Sequence, residues 1–178
     1  DGPVQEARKN VARFGVHHCV HVRKGDGLTP LRESDGIEVV IIAGMGGRLI
    51  QKLLEQDAKR LTTVKRYILQ PNKSAWLIRE WLFTNSYTIT DEKMLSDGGI
   101  IYEIIVAEPS SKPTFYTKED ILFGPILRKR REETFLAFWE NELHHKENII
   151  SRIPPNHPQR KRLEEEIQTI IIELSGQE

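Results

Sequence analysis

Three turns in this 178-residue sequence have the composition of a ligand site. Gly25-Asp26-Gly27 sets a short carboxylate between two residues without side chains. The Asp26 carboxylate can accept a hydrogen bond from the exocyclic amine of an adenine, and bare glycines let a flat ring approach the backbone. Ala43-Gly44-Met45-Gly46-Gly47 follows a run of apolar residues and offers uncovered N–H and C=O groups. Met45 within it is a soft apolar wall suited to a ring or a thioether. Gln70-Pro71-Asn72 places two amides around a fixed turn, and amides donate and accept at once, as a purine edge requires. Each segment alone has a plainer reading: a turn, a strand-to-helix joint, or a helix entry with Asn72 as N-cap. At the ends of three successive strands they point to one site, because an open parallel sheet binds ligands beyond the carboxyl ends of its strands.

The elements that carry these turns follow from periodicity. Val4, Ala7, Val11 and Phe14 recur at helical spacing, so residues 3–14 are expected to form a helix, with Pro3 in its first turn and Gly15 as C-cap. "CVHVRKGDGL" alternates apolar and polar residues into the first turn, which predicts a strand. "IEVVIIAGMGG" is a continuous apolar run, as in a strand buried on both faces. Leu49, Ile50, Leu53, Leu54 and Leu61 mark the next helix. "RYILQPN" is a short strand stopped by Pro71. Leu77, Ile78, Trp81 and Leu82 share one helix face, and "YTITDEKML" and "IIYEIIVAE" form an antiparallel pair around Asp97-Gly98-Gly99. Alternating strands and helices predict a parallel α/β sheet, closed here by an antiparallel hairpin in the manner of the Rossmann-like class I methyltransferase sheet.

"EPSSKPT", residues 108–114, reads as a polar linker, and no strand signal follows it. Phe135, Trp139, Leu143, Ile150 and Ile153 make one apolar stripe. After the breaker "PPNHP", Leu163, Ile167, Ile170, Ile171 and Leu174 make another. Two single-striped helices with a short connection form an antiparallel helical hairpin of the coiled-coil kind. The expected division is residues 1–108 as a partial catalytic domain, 109–118 as linker and 119–178 as hairpin.

Apolar residues are 38% of the chain and charged residues 29%, which places it among globular proteins. No apolar run approaches the roughly 20 residues of a membrane span. The single cysteine, Cys19, excludes an internal disulfide and suits a reducing, cytoplasmic setting. His17, His18 and His21 lack metal-ligand spacing, so no metal is expected. A neutral chain is unusual for a nucleic-acid binder unless basic residues cluster locally. They do in the tail, as Arg128-Lys129-Arg130-Arg131 and Arg160-Lys161-Arg162. These form either a phosphate-contacting surface or a solvated face paired with Glu132, Glu133 and residues 164–166.

Taken in order, "DGPVQEARKNV", "VRKGDGL", "IIAGMGGRLI", "YILQPN", "LIREWL", "YEIIVAE" and "GPIL" resemble the bacterial tRNA (adenine(22)-N(1))-methyltransferase family over nearly the whole chain. The spacing of IAGMGG and LQPN carries most of the specificity; GDGL alone carries little. The resemblance implies a cytoplasmic enzyme that moves a methyl group from S-adenosylmethionine to N1 of adenine 22 in tRNA, with the helical tail helping to hold the RNA. It implies cofactor contacts at Gly25, Asp26, Gly27, Ala43, Gly44, Met45 and Gly46. Gln70, Pro71 and Asn72 would face the flipped base, with Gln70, Asn72 and Met45 nearest the chemistry. Arg128, Lys129, Arg130 and Arg131 would meet tRNA. The family's first strand, with its glycine turn for the methionine end of the cofactor, and its second strand have no counterpart here. The chain is therefore expected to be a fragment, inactive or weakly active by itself. The competing expectations are another Rossmann nucleotide enzyme and a non-catalytic RNA-binding module that kept the fold. Oligomeric state stays open.

Overall fold

The computed structural model describes residues 2–112 and 114–176. The linker reading includes residue 113 and the tail reading includes 177–178, which lie outside the described residues. The chain opens with α1 (Gly2–Arg13), which buries no residue. Gly15 closes it at φ +66, a left-handed conformation that favours glycine. Then come β1 (Val39–Met45), α2 (Gly47–Asp57), β2 (Arg66–Pro71), α3 (Ala75–Thr84), β3 (Tyr87–Asp97) and β4 (Ile100–Pro109). The strands lie in the order β1-β2-β4-β3. β1 and β2 are parallel, while β4 runs antiparallel to both β2 and β3. This is the parallel sheet with an antiparallel closing hairpin that the sequence implies.

Two expectations are corrected. Residues 20–24 form no strand. Alternation alone does not make one, because a strand exists through hydrogen bonds to a neighbour and β1 pairs only with β2 among the described residues. For the same reason β1 is not buried on both faces. Val40 and Ile42 are buried, whereas Val39 and Ile41 are 48% and 67% exposed. The core lies on the covered face, where Ile50 and Leu54 of α2 and Ile78 and Leu82 of α3 meet Tyr67, Leu69 and Ile105 of the sheet.

Beyond the sheet the chain forms α4 (Lys118–Phe123), α5 (Pro125–Arg130), α6 (Glu133–Arg152) and α7 (Arg160–Ser175). The hairpin of α6 and α7 is as expected, with "PPNHP" in the connection. The short α4 and α5 before it were not legible as separate helices. A second core joins the hairpin to the sheet: Met94 of β3 packs with Phe123, Leu127, Phe135, Trp139 and Ile170. Phe123 and Trp139 meet edge to face, with ring centroids 4.5 Å apart. Each large apolar side chain buried there contributes about 1.5–3 kcal/mol, so the base of the hairpin is anchored and not tethered.

Candidate active site

The parallel pairing of β1 and β2 slips between Ala43 and Met45, and Gly44 is the extra residue. Its φ of +76 is a conformation that β-carbon-bearing residues rarely adopt, so glycine is required on backbone grounds. The bulge turns both polar groups of Gly44 out of the strand ladder, and the two amides of β2's end catch them. The Gly44 N–H donates to Gln70 Oε1 at 2.7 Å, and Asn72 Nδ2 donates to the Gly44 carbonyl at 2.9 Å. Gln70 Nε2 donates to Asn72 Oδ1 at 3.3 Å, which closes a ring of three hydrogen bonds. Asn72 is therefore not an N-cap. Ser74 holds that position, at φ +60 and with no side-chain cap bond.

Backbone bonds tie the two loops further. The Asn72 N–H donates to the Met45 carbonyl at 2.8 Å, and the Gly47 N–H donates to the Lys73 carbonyl at 2.9 Å. At Gly47 a β-carbon would lie 2.3 Å from the Ser74 carbonyl oxygen. This glycine serves loop-to-loop packing. Gly44 and Gly46 differ: nothing lies within 4 Å of a β-carbon built on Gly44, and only Lys73 Cε, at 3.9 Å, is near one on Gly46. The loop thus presents backbone to open space at 44 and 46, which fits the approach of a cofactor. Met45 is half-buried and packs partly against the core, so it is less a free wall than the sequence suggested.

The Gly25-Asp26-Gly27 turn is packed closely by the chain's own side chains. A β-carbon on Gly27 would meet Leu53 Cδ2 at 2.2 Å, and one on Gly25 would meet Pro30 Cγ at 2.0 Å. These glycines make room for the chain's own side chains, not for a ring. The turn lies along the flank of α2, and no hydrogen bond links it to the 43–47 loop among the described residues. The following segment runs to the far end of α2, where Arg60 Nη2 donates to the Leu28 carbonyl at 3.1 Å. The side chain of Asp26 is exposed and has no partner among the described residues.

The basic cluster of α5 is also corrected. Arg128 donates to Asp120 and to Glu173, each at 2.8 Å. Arg130 donates to the Glu92 carbonyl and pairs with Asp91, each at 2.8 Å. Arg131 donates to the carbonyls of Glu173 and Leu174 at 2.7 and 2.8 Å. Three of the four cations thus join α5 to β3 and to the end of α7, and a charge already paired internally is not free for phosphate. Lys129 alone has no partner among the described residues. Arg128→Ala is therefore expected to lower stability by about 1.5–3 kcal/mol, the worth of hydrogen bonds between charged groups. It should leave the salt dependence of tRNA binding unchanged, since phosphate contacts and not internal pairs set that slope. Urea unfolding and binding across a salt series check the two halves.

Sequence reasoning missed the buried group behind the site. Arg79 of α3 is almost fully buried, with Nε donating to Glu92 Oε1 at 2.7 Å and Nη2 pairing with Glu103. "LIREWL" gave only its helix face, and nothing in the spacing shows that strands β3 and β4 bring two carboxylates to it. Among the described residues no group of three or more His, Cys, Asp or Glu side chains is placed to hold a metal ion, and no helix is long and apolar enough to cross a membrane.

This bulged loop, bracketed by two amides, sits in a chain whose family model is matched by residues 1–175, and the model is that of the tRNA (adenine(22)-N(1))-methyltransferases. The chain belongs to that family. It is 38% identical over 157 residues to the tRNA (adenine(22)-N(1))-methyltransferase of Bacillus subtilis strain 168, covering 86% of this chain and 66% of that protein. It thus spans just under two thirds of that relative's length. Among solved structures, Sp1610 of Streptococcus pneumoniae in complex with S-adenosyl-L-methionine has a TM-score of 0.90 at 36% identity, over 98% of this chain and 77% of that one. The B. subtilis m1A22 tRNA methyltransferase TrmK has a TM-score of 0.86 at 34% identity, over 98% of this chain and 78% of that one. These solved relatives share the fold described above over 98% of this chain.

Proposed function

We propose that the protein is a cytoplasmic, S-adenosylmethionine-dependent methyltransferase that modifies N1 of adenine 22 in tRNA. The observation that carries this reading is the hydrogen-bonded ring of Gly44, Gln70 and Asn72 at the carboxyl ends of β1 and β2. Bound S-adenosylmethionine supplies a methyl group already activated on a sulfonium. Ala43, Gly44, Met45 and Gly46 line its side of the site, and the open space beside Gly44 and Gly46 suits that role. Asp26, with its free carboxylate, is the acceptor for the cofactor's adenine amine; Gly25 and Gly27 serve by packing.

The chain's own work is alignment and exclusion of water. N1 of adenine carries a lone pair that is unprotonated at neutral pH, so no base is needed to activate it, and the positive charge of the sulfonium passes to the methylated ring with no proton lost. Gln70 and Asn72 hold Gly44 fixed and each keeps one N–H for the edge of the extruded base, while Pro71 sets the turn between them. Residues 1–108 carry the chemistry, and the hairpin beyond the 109–118 linker meets tRNA. Among its cations, Lys129 and Lys161 are free to do so.

Asn72→Ala breaks two of the three bonds of the ring at an exposed position. The fold should survive with little change in melting temperature. Methyl transfer should fall about a hundredfold, as for misplacement of reacting groups by about an ångström. The general test is transfer of labelled methyl from S-adenosylmethionine to bulk tRNA by the chain extended to the length of its B. subtilis relative, with nucleosides separated after digestion. Label in 1-methyladenosine supports the reading; label in any other nucleoside, or none, rejects it.

A further inference from the structure

A cavity of about 460 Å³ is bordered by Pro71 and Asn72 but not by Gly44, and lies among the start of α3, the β3–β4 hairpin, and helices α6 and α7. Its volume falls within the range of small-ligand clefts, about 300–1,000 Å³. Met94 and Ile101 give it an apolar floor, and Trp76 of α3, 42% exposed, offers an aromatic face. One polar group in its wall is incompletely used. Glu103 gives one oxygen to Arg79, and its second oxygen has no partner among the described residues. Burial already raises the Glu103 pKa above its ordinary value, more than Arg79 lowers it, as expected of a carboxylate short of donors.

One cation of the cavity is unpaired. Lys73 lines it beside Gly46, and its ammonium has no partner among the described residues. Adjoining it, Ser74, the N-cap of α3, makes no side-chain cap bond; the Leu77 N–H donates to the Ser74 carbonyl at 3.1 Å, and the N–H groups of Ala75 and Trp76 have no partner among the described residues. Lys146 and Arg162 both donate to Glu166, at 2.6 and 3.0 Å, and Glu142 in the same wall balances the second of these cations.

An aromatic face, a carboxylate oxygen without a partner and a lysine beside a helix N-terminus are the parts that hold an unstacked nucleotide. We propose that this cavity takes a second nucleotide of the RNA substrate, a purine next to the methylated adenine, with its amino group on Glu103, its ring against Trp76 and its phosphate at Lys73. A pyrimidine would leave much of the space empty. The site rests on the tRNA-methyltransferase reading and deepens it: the enzyme would read a neighbour as well as its target.

The test uses single-stranded RNA heptamers with a central adenine, measured by fluorescence anisotropy. The flanking positions carry adenine or nebularine, the same purine without its amino group. On one flank nebularine should bind the wild type at least about fivefold more weakly, because it leaves the second Glu103 oxygen without a donor. In Glu103→Gln the amide keeps one acceptor for Arg79 and turns the other position into a donor, so that preference should vanish. Trp76→Ala, at an exposed position, should weaken both RNAs about tenfold. Equal affinity of the wild type for adenine and nebularine on both flanks overturns the second site, and this comparison needs no variant to fold. Methyl transfer to tRNA is measured alongside. Transfer with no flank preference removes the second site alone, whereas a flank preference without transfer keeps the site and removes the methyltransferase reading.

Discussion

Arg79→Met is expected to destabilise the protein by about 3–5 kcal/mol, the largest effect of any single substitution discussed. Arg79 is 1% exposed in its side chain, and its two carboxylate partners, Glu92 and Glu103, are 0% and 14% exposed. Removing the cation leaves two acids in a low-dielectric setting with nothing to balance them. The damage spreads, because Glu92 Oε2 also accepts the N–H of Ile126 at 2.8 Å and so holds the first turn of α5. Arg79 Nη1 reaches the carbonyls of Ile121 and Leu122, at 3.4 and 3.3 Å, at the end of α4. One guanidinium therefore joins α3, both strands of the hairpin and the two helices that lead into the tail. Even Gly124 is shaped by it, since a β-carbon there would lie 2.7 Å from Arg79 Nη2. Urea denaturation should show a lower midpoint. The sign of the pH dependence follows from Glu103, whose folded pKa is already raised by burial. A carboxyl with a raised folded pKa stabilises the fold while protonated and loses that stability as pH rises through its titration. Loss of Arg79 raises that pKa further, so the deficit relative to wild type should be smaller near about pH 5 than near about pH 8.

Gly47→Ala is the second large effect, and it separates two kinds of glycine in one loop. The added methyl would meet the Ser74 carbonyl oxygen at 2.3 Å and the Lys73 carbonyl oxygen at 2.9 Å, both backbone atoms that cannot swing aside. The 43–47 and 70–74 loops must part, and the Gly47–Lys73 hydrogen bond goes with them. Overpacking of this kind costs about 1–3 kcal/mol. The effect on methyl transfer should be larger, about a hundredfold or more, because the loss of alignment falls on the pair of loops that carries the site. Gly46→Ala is the control for stability. Gly46 sits at φ −70 and ψ 144, ordinary extended backbone, and a β-carbon there meets only Lys73 Cε at 3.9 Å. Its melting temperature should match the wild type. Equal melting temperatures for the two variants would refute the packing account of Gly47.

The local chemistry of the site was legible in the sequence, but its connections were not. A glycine at 44 and amides at 70 and 72 can be read as ligand-binding groups from their types alone. That they bind one another first depends on the bulge between Ala43 and Met45, which only strand pairing produces. The pairing of β3 with β4 was readable because both halves and the Asp97-Gly98-Gly99 turn are adjacent in the chain. The strand expected around His21 failed because its partner cannot be read from its own alternation. Arg128, Arg130 and Arg131 looked like a phosphate surface because charge runs show sign and not partner. Their acceptors, Asp91, Glu92, Asp120, Glu173 and Leu174, come from three other elements. Ring turns and short-range pairs are written locally; long-range ion pairs are not.

The central claim is a position-specific one, and primer extension tests it most directly. Two tRNA transcripts, one with adenine at position 22 and one with guanine there, are incubated with S-adenosylmethionine and the chain extended to the length of its B. subtilis relative, then copied by reverse transcriptase. A methyl group on N1 blocks the pairing edge and stops the copy. The account predicts a stop at position 22 in the adenine transcript, none in the guanine transcript, and a stop about a hundredfold slower to appear with Asn72→Ala. Read-through of the adenine transcript by the folded, cofactor-supplied protein, or a stop at any other position, would contradict it.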